Sequence, residues 1–112
     1  MALTIVHATI VNRTSLSGAI DCSAAPPVRI SMPAAWTAAN LSFQVSSDGT
    51  TFEDLFDSTG KEVMVNVMPG TVVRLSAGWA VSPVWLKFRS GSRTAPVLQS
   101  VDRIFSIALV TP

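Results

Sequence analysis

Tyrosine is absent from this chain, cysteine and histidine occur once each, and charged residues make up only 13% of it, about half the usual share. Each absence narrows the function. A lone Cys22 cannot form an internal disulfide, and it rules out a cysteine-based zinc site. Its apolar surroundings read as those of a small buried filler. A lone His7, inside an apolar segment and with no second histidine, leaves a transition metal without a ligand set. Serine, histidine and aspartate are all present, but no spacing brings them together as a triad. Neither a Gly-Xaa-Ser-Xaa-Gly elbow nor a phosphate-cradling glycine loop occurs. No catalytic, metal-binding or cofactor-binding residue is therefore named, and the chain is not expected to be an enzyme.

Other partners are excluded by what the chain has little of. With a net charge of +1 and no Lys/Arg-rich run, direct nucleic-acid binding lacks an electrostatic footprint. Three tryptophans and no tyrosine give few stacking platforms for single strands. No apolar run reaches the roughly 20 residues of a membrane span. Residues 1–11 are apolar but lack a positive leading region and a clean small-residue cleavage site, so they read as a strand. Without a signal peptide, Asn12-Arg13-Thr14 and Asn40-Leu41-Ser42 match the glycosylation pattern by chance.

What is present is apolar: 48% of the residues are hydrophobic. The length suits one domain, residues 1–112, with one core. A surface so poor in charge is expected to be partly buried against another chain, most simply in a homo-oligomer.

The apolar residues alternate, or run for four to eight positions between turn signals, and no helical period is sustained. Leu41, Phe43 and Val45 share one face of a strand, and Ser42, Gln44 and Ser46 the other. Asp48-Gly49 then predicts a tight hairpin into Thr51 to Phe56. Further strands are expected at Ala2 to Val11 (with a bulge), Ser15 to Ile20, Val28 to Met32, Lys61 to Val67, Thr71 to Ala77, Val84 to Arg89, Val97 to Val101 and Arg103 to Val110. Pro33 to Ala39 is read as one helical turn. Eight or nine short strands separated by turns predict an all-β fold, a single antiparallel β-sandwich of jelly-roll type.

Charge and tryptophan supply the candidate contacts. Asp48, Glu53, Asp54, Asp57 and Glu62 crowd one hairpin, while Arg74, Lys87, Arg89, Arg93 and Arg103 lie in the other half. The spacing does not follow a calcium-loop pattern, so pairing between the acidic hairpin and the basic strands of a neighbouring copy is expected instead. Alternation puts Trp85, Lys87 and Arg89 on the outer face of their strand, as interface residues together with Asp48, Glu53 and Asp54. Trp36 reads as a plug at one end of the core. Trp79, in a Gly-Trp-Ala loop, is read mainly as a second plug and otherwise as a glycan contact.

Three stretches carry a family resemblance: Leu16 to Asp21, Ile30 to Ser46 continuing through Asp48 to Leu55, and Leu86-Lys87-Phe88-Arg89-Ser90-Gly91 with Ala95-Pro96-Val97. They resemble small virion proteins of tailed bacteriophages, prophages and gene-transfer agents. That resemblance implies a structural protein, a head decoration or the base of a head fibre, with a neck or tail position as the alternative. It implies capsid, neck or tail subunits as partners and a place on the particle surface after synthesis in the bacterial cytoplasm. Phe43 to Phe52 is also similar to the strand-turn-strand of discoidin-like jelly rolls, many of which bind glycans. The chain lacks their terminal cysteine pair, so a host glycan remains the second partner class, with no residue carried over.

Overall fold

Apolar alternation becomes two stacked antiparallel sheets in the computed structural model, which describes residues 2–76 and 84–111. Eight strands lie within the described residues: β1 (Ala2–Ile10), β2 (Ile20–Asp21), β3 (Pro27–Ser31), β4 (Leu41–Ser46), β5 (Glu53–Asp54), β6 (Val72–Arg74), β7 (Trp85–Ser90) and β8 (Arg103–Thr111). One sheet has the order β1-β8-β3-β6 and the other β2-β7-β4-β5. The pairs β4·β5, β3·β6, β2·β7 and β1·β8 nest like one long hairpin. Rolling that ribbon joins alternate pairs into opposite sheets. This is the jelly-roll arrangement.

The core is the pair of inner faces. Ile10, Ile30, Phe105 and Ile107 from the first sheet meet Leu41, Phe43, Leu86 and Phe88 from the second, all fully buried. Phe88 and Phe105 stack across the two sheets at 5.9 Å, and Phe43 meets Phe88 edge-on at 5.6 Å. Trp36 closes this cluster against Phe105, edge-on at 5.4 Å. Each such ring pair adds about 0.5–1.5 kcal/mol beyond its area burial.

Several boundaries differ from the sequence reading. β1 needs no bulge, because it pairs continuously with β8 from Ala2↔Thr111 to Ile10↔Arg103. The irregularity lies in β3 instead, between Pro27 and Arg29. Pro33 to Ala39 forms no helical turn. Its backbone bends while the Trp36 indole N–H donates to the Ala39 carbonyl (3.0 Å) and Gly70 N–H donates to Pro33 (2.8 Å). Lys61 to Val67 makes only isolated bridges, yet Val63 and Val67 still enter the core. Val97 to Val101 is not a strand either. Asp48-Gly49 does not close a tight hairpin: β4 and β5 pair at Val45↔Glu53, so the whole of Ser46 to Phe52 forms the connection.

Gly91 turns the chain after β7 with φ of 87°. A Cβ there would collide with the Ala95 carbonyl and lie 2.8 Å from the Val97 nitrogen. Both obstacles are backbone, so neither can swing away. Gly91→Ala is expected to cost about 2 kcal/mol or more from left-handed strain and this collision. Urea unfolding should show a lower midpoint with an unchanged slope.

Candidate interaction surfaces

The outer face of the second sheet is where the acidic and basic clusters meet, and they meet within one chain. Ser42 and Ser46 are buried although they point away from the core: the segment after β4 covers part of this face, with Gly49 against the Trp85 ring and Phe52 against Lys87, before β5 joins the sheet edge. Arg89 projects under that cover and is 7% exposed. Its Nη1 donates to Asp54 Oδ1 (2.7 Å), its Nη2 to Glu62 Oε2 (2.8 Å) and its Nε to Ser42 Oγ (2.9 Å). Ser42 passes the chain on by donating to the Gly91 carbonyl at 2.6 Å. Arg93 adds a second guanidinium contact to Asp54 (3.0 Å) and offers its backbone N–H to Glu62. The Arg89 hydrogen bond, chiefly, holds the Asp54 carboxyl below the usual aspartate range.

This geometry corrects the expectation for Arg89. Alternation assigns the correct face, but Asp54 from the edge strand β5 and Glu62 close over Arg89 there, so the guanidinium serves an internal ion-pair network. Asp54 belongs to the same network, and the pairing expected between neighbouring copies is intramolecular at Asp54 and Glu62. Charge reversal at Arg89 would therefore test folding, not assembly. Asp48 is committed locally: its Oδ1 accepts from Thr50 N–H, Thr51 N–H and Ser46 Oγ. The backbone N–H groups of Thr51 and Thr50 lower its pKa. Trp85 is half-buried with its indole over Gly49, where a Cβ would sit 3.0 Å from the ring. Lys87 places its ammonium 4.2 Å from the centre of the Phe52 ring. Of the interface residues named from sequence, Asp48 and Glu53 are exposed, Glu53 on the edge strand β5. Trp79 lies outside the described residues.

A second polar network was not foreseen. Gln99 is fully buried. It accepts from Thr37 N–H (2.9 Å) and Arg103 Nε (3.0 Å) and donates to the Thr37 carbonyl (3.0 Å) and Ser90 Oγ (2.7 Å). Gln99 thereby ties the bend before β4 to the ends of β7 and β8. No buried side-chain polar atom among the described residues lacks a partner. Both networks are satisfied structural clamps, with no group left poised to react.

His7 is exposed on β1. Burial is the main reason that the Cys22 thiol is pushed up to about 11. Native Cys22 is therefore expected to resist disulfide reagents at neutral pH and to react once denaturant is added. Labelling at the rate of a free thiol in the native protein would contradict this placement. Among the described residues no group of three or more His, Cys, Asp or Glu could hold a metal ion. No helix among them is long and apolar enough to cross a membrane.

The first sheet differs: among the described residues nothing covers its outer face. Leu3 (53%), Ile5 (48%), Ile104 (56%) and Val72 (61%) are exposed. Arg29 and Arg74 sit directly opposite each other on β3 and β6, an unfavourable like-charge pair. Neither makes an ion pair among the described residues. The comparisons add no identity to this geometry: no protein-family model, no curated protein and no solved structure matches the chain.

Proposed function

We propose that this protein is a non-enzymatic structural subunit of a tailed phage or phage-like particle, decorating the head surface or forming the base of a head fibre. The observation that supports an assembly role best is the outer face of the first sheet, which nothing covers among the described residues. Its exposed Leu3, Ile5, Val72 and Ile104 share this face with two cations that make no ion pair among the described residues. On this face the apolar side chains alternate with His7, Ser106, Ser31 and the two arginines, and exposed large apolar side chains of this number suit an interaction site. Arg29 and Arg74, without an ion pair among the described residues, suit a partner that brings carboxylates to this face, where charge sets orientation and encounter rate. The phage assignment rests on the resemblance carried by residues 16–55 and 86–97. Jelly rolls serve as viral coat domains and as lectins alike, so the fold is compatible with this role without selecting it. A neck or tail location is the alternative within this class.

The test is the composition of gradient-purified particles from a host that encodes the chain. The reading expects a stoichiometric copy number that falls when Ile104→Asp and Val72→Asp are combined, with the free protein still folded. Absence from purified particles would overturn it. A glycan array separates the competing module: saturable binding abolished by Trp79→Ala would favour host-surface attachment.

A further inference from the structure

We infer that the free edge of β1 pairs antiparallel with β1 of a second copy, about a two-fold axis at Ile5, joining the first sheets of two protomers into one continuous sheet. This stands apart from the particle assignment, because it concerns the isolated chain. β1 ends its sheet, and among the described residues no strand lies on its other side. Among the described residues the other sheet edges are short: β6 spans three residues, β2 two and β5 two. β1 spans nine, with no proline, no charged side chain and no bulge. Those are the devices by which natural proteins blunt an edge.

Two contacts show which backbone groups lie open. Val110 N–H donates to the Pro26 carbonyl, so Val110 and, by alternation, Ala108 and Ser106 turn their backbone groups toward β3. Their partners across the β1·β8 ladder are Leu3, Ile5 and His7. These three therefore direct their N–H and C=O groups away from β8, to the free side. Gly18 N–H reaches the Thr9 carbonyl on that same side and closes the edge beyond His7. The open edge is thus three residues with Ile5 at the centre.

That pattern is self-complementary. A two-fold axis at Ile5 sets Ile5 opposite Ile5 of the second copy, and Leu3 opposite His7 in both directions. All three are then hydrogen-bonded pairs, and every open N–H and C=O finds a partner. No charge in β1 opposes its own copy, and a charged strand would find no counter-charge there. The side chains of Leu3 and Ile5 also join those of the second copy, extending the apolar outer face across the axis. Ala2 to Ile5, exposed on both faces in the single chain, gain a neighbouring strand.

Sedimentation equilibrium on the purified chain, from low micromolar to near-millimolar, is the test, with amide exchange read residue by residue. The wild type is expected to approach twice the monomer mass, with the Leu3, Ile5 and His7 amides slowing as it does. Ile5→Lys puts two like charges together at the axis, and Ile5→Pro removes an N–H that β8 does not use. Each should weaken the dimer by about tenfold or more while leaving the far-ultraviolet spectrum and cooperative unfolding intact. Val72→Lys, on the same outer face but at the far edge, should leave the dimer unchanged. A monomer at every concentration overturns the inference. So does a dimer that both Ile5 variants retain, or one that Val72→Lys abolishes.

Discussion

Arg89→Ala is expected to lower the stability of the domain by about 3 kcal/mol or more. The side chain is almost wholly buried and bridges two carboxylates that are themselves mostly covered, Asp54 and Glu62. Removing it leaves both acids desolvated, with Arg93 alone beside Asp54. It also strips a donor from Ser42 beneath β4. Arg89→Lys should recover only part of the loss, because an ammonium cannot fork to two acids and a hydroxyl at once. Urea unfolding at neutral pH reads the difference directly. The same network sets an acid dependence. Asp54 has its folded pKa lowered, by the Arg89 hydrogen bond first. Its contribution is therefore present above its unfolded value of about 3.9 and is lost as pH falls through the lower folded value. The wild-type unfolding midpoint should fall as pH drops below about 4, and Asp54→Asn should flatten that limb while lowering the neutral-pH midpoint. An Arg89→Ala protein as stable as the wild type would mean that the roof over the second sheet is not held by this network.

Gln99→Leu has the second largest expected effect. The volume is nearly kept, so cavity formation is minor. The loss is in hydrogen bonding: the N–H and C=O of Thr37, the Ser90 hydroxyl and the Arg103 Nε all lose a partner. Each buried group left unpaired costs about 1–3 kcal/mol. Relaxation and water entry recover some of this, which leaves an expected loss of about 3 kcal/mol. Gln99→Glu keeps the acceptor for Arg103 but loses the donor to Thr37 and Ser90, and should fall between. Thermal unfolding of the three proteins gives the order. A Gln99→Leu protein that melts with the wild type would show that the bend at Thr37 is held by packing alone.

The strands that alternate cleanly were legible: β1, β3, β4, β7 and β8 lie within a residue or two of their expected ranges. Two of them, β4 and β7, show where alternation stops informing. It places Ser42, Gln44 and Arg89 correctly on the outer face, but it cannot say that another segment folds over that face. A signal was present: small polar residues on β4 face the strand that carries Arg89, and five carboxylates follow within 48–62. Such a concentration of acid beside a strand of serines fits internal pairing as well as pairing between copies. Gln99 gave no signal, because a glutamine between Leu98 and Ser100 looks like any surface residue. The valines at 63, 65 and 67 alternate as a strand would. They enter the core from a loop instead, because their backbone bonds are isolated, Val65 with Leu41 and Val63 with Leu55, and do not build a ladder. The apolar outer face of the first sheet was foreshadowed by low charge and by Leu3 and Ile5 on one side of β1. The position of Arg29 opposite Arg74 depended on register, which pattern alone does not reveal.

The Arg89 network closes part of the outer face of the second sheet, and among the described residues nothing covers that of the first, so assembly through the first sheet is the centre of this account. The most direct measurement is a reconstruction of purified particles at side-chain resolution. The account calls for repeated copies whose Leu3, Ile5, Val72 and Ile104 are buried against a neighbouring subunit, with the roof over the second sheet turned outward. Copies bound through residues 48–62 with the first sheet facing solvent, or particles without the chain, would contradict it.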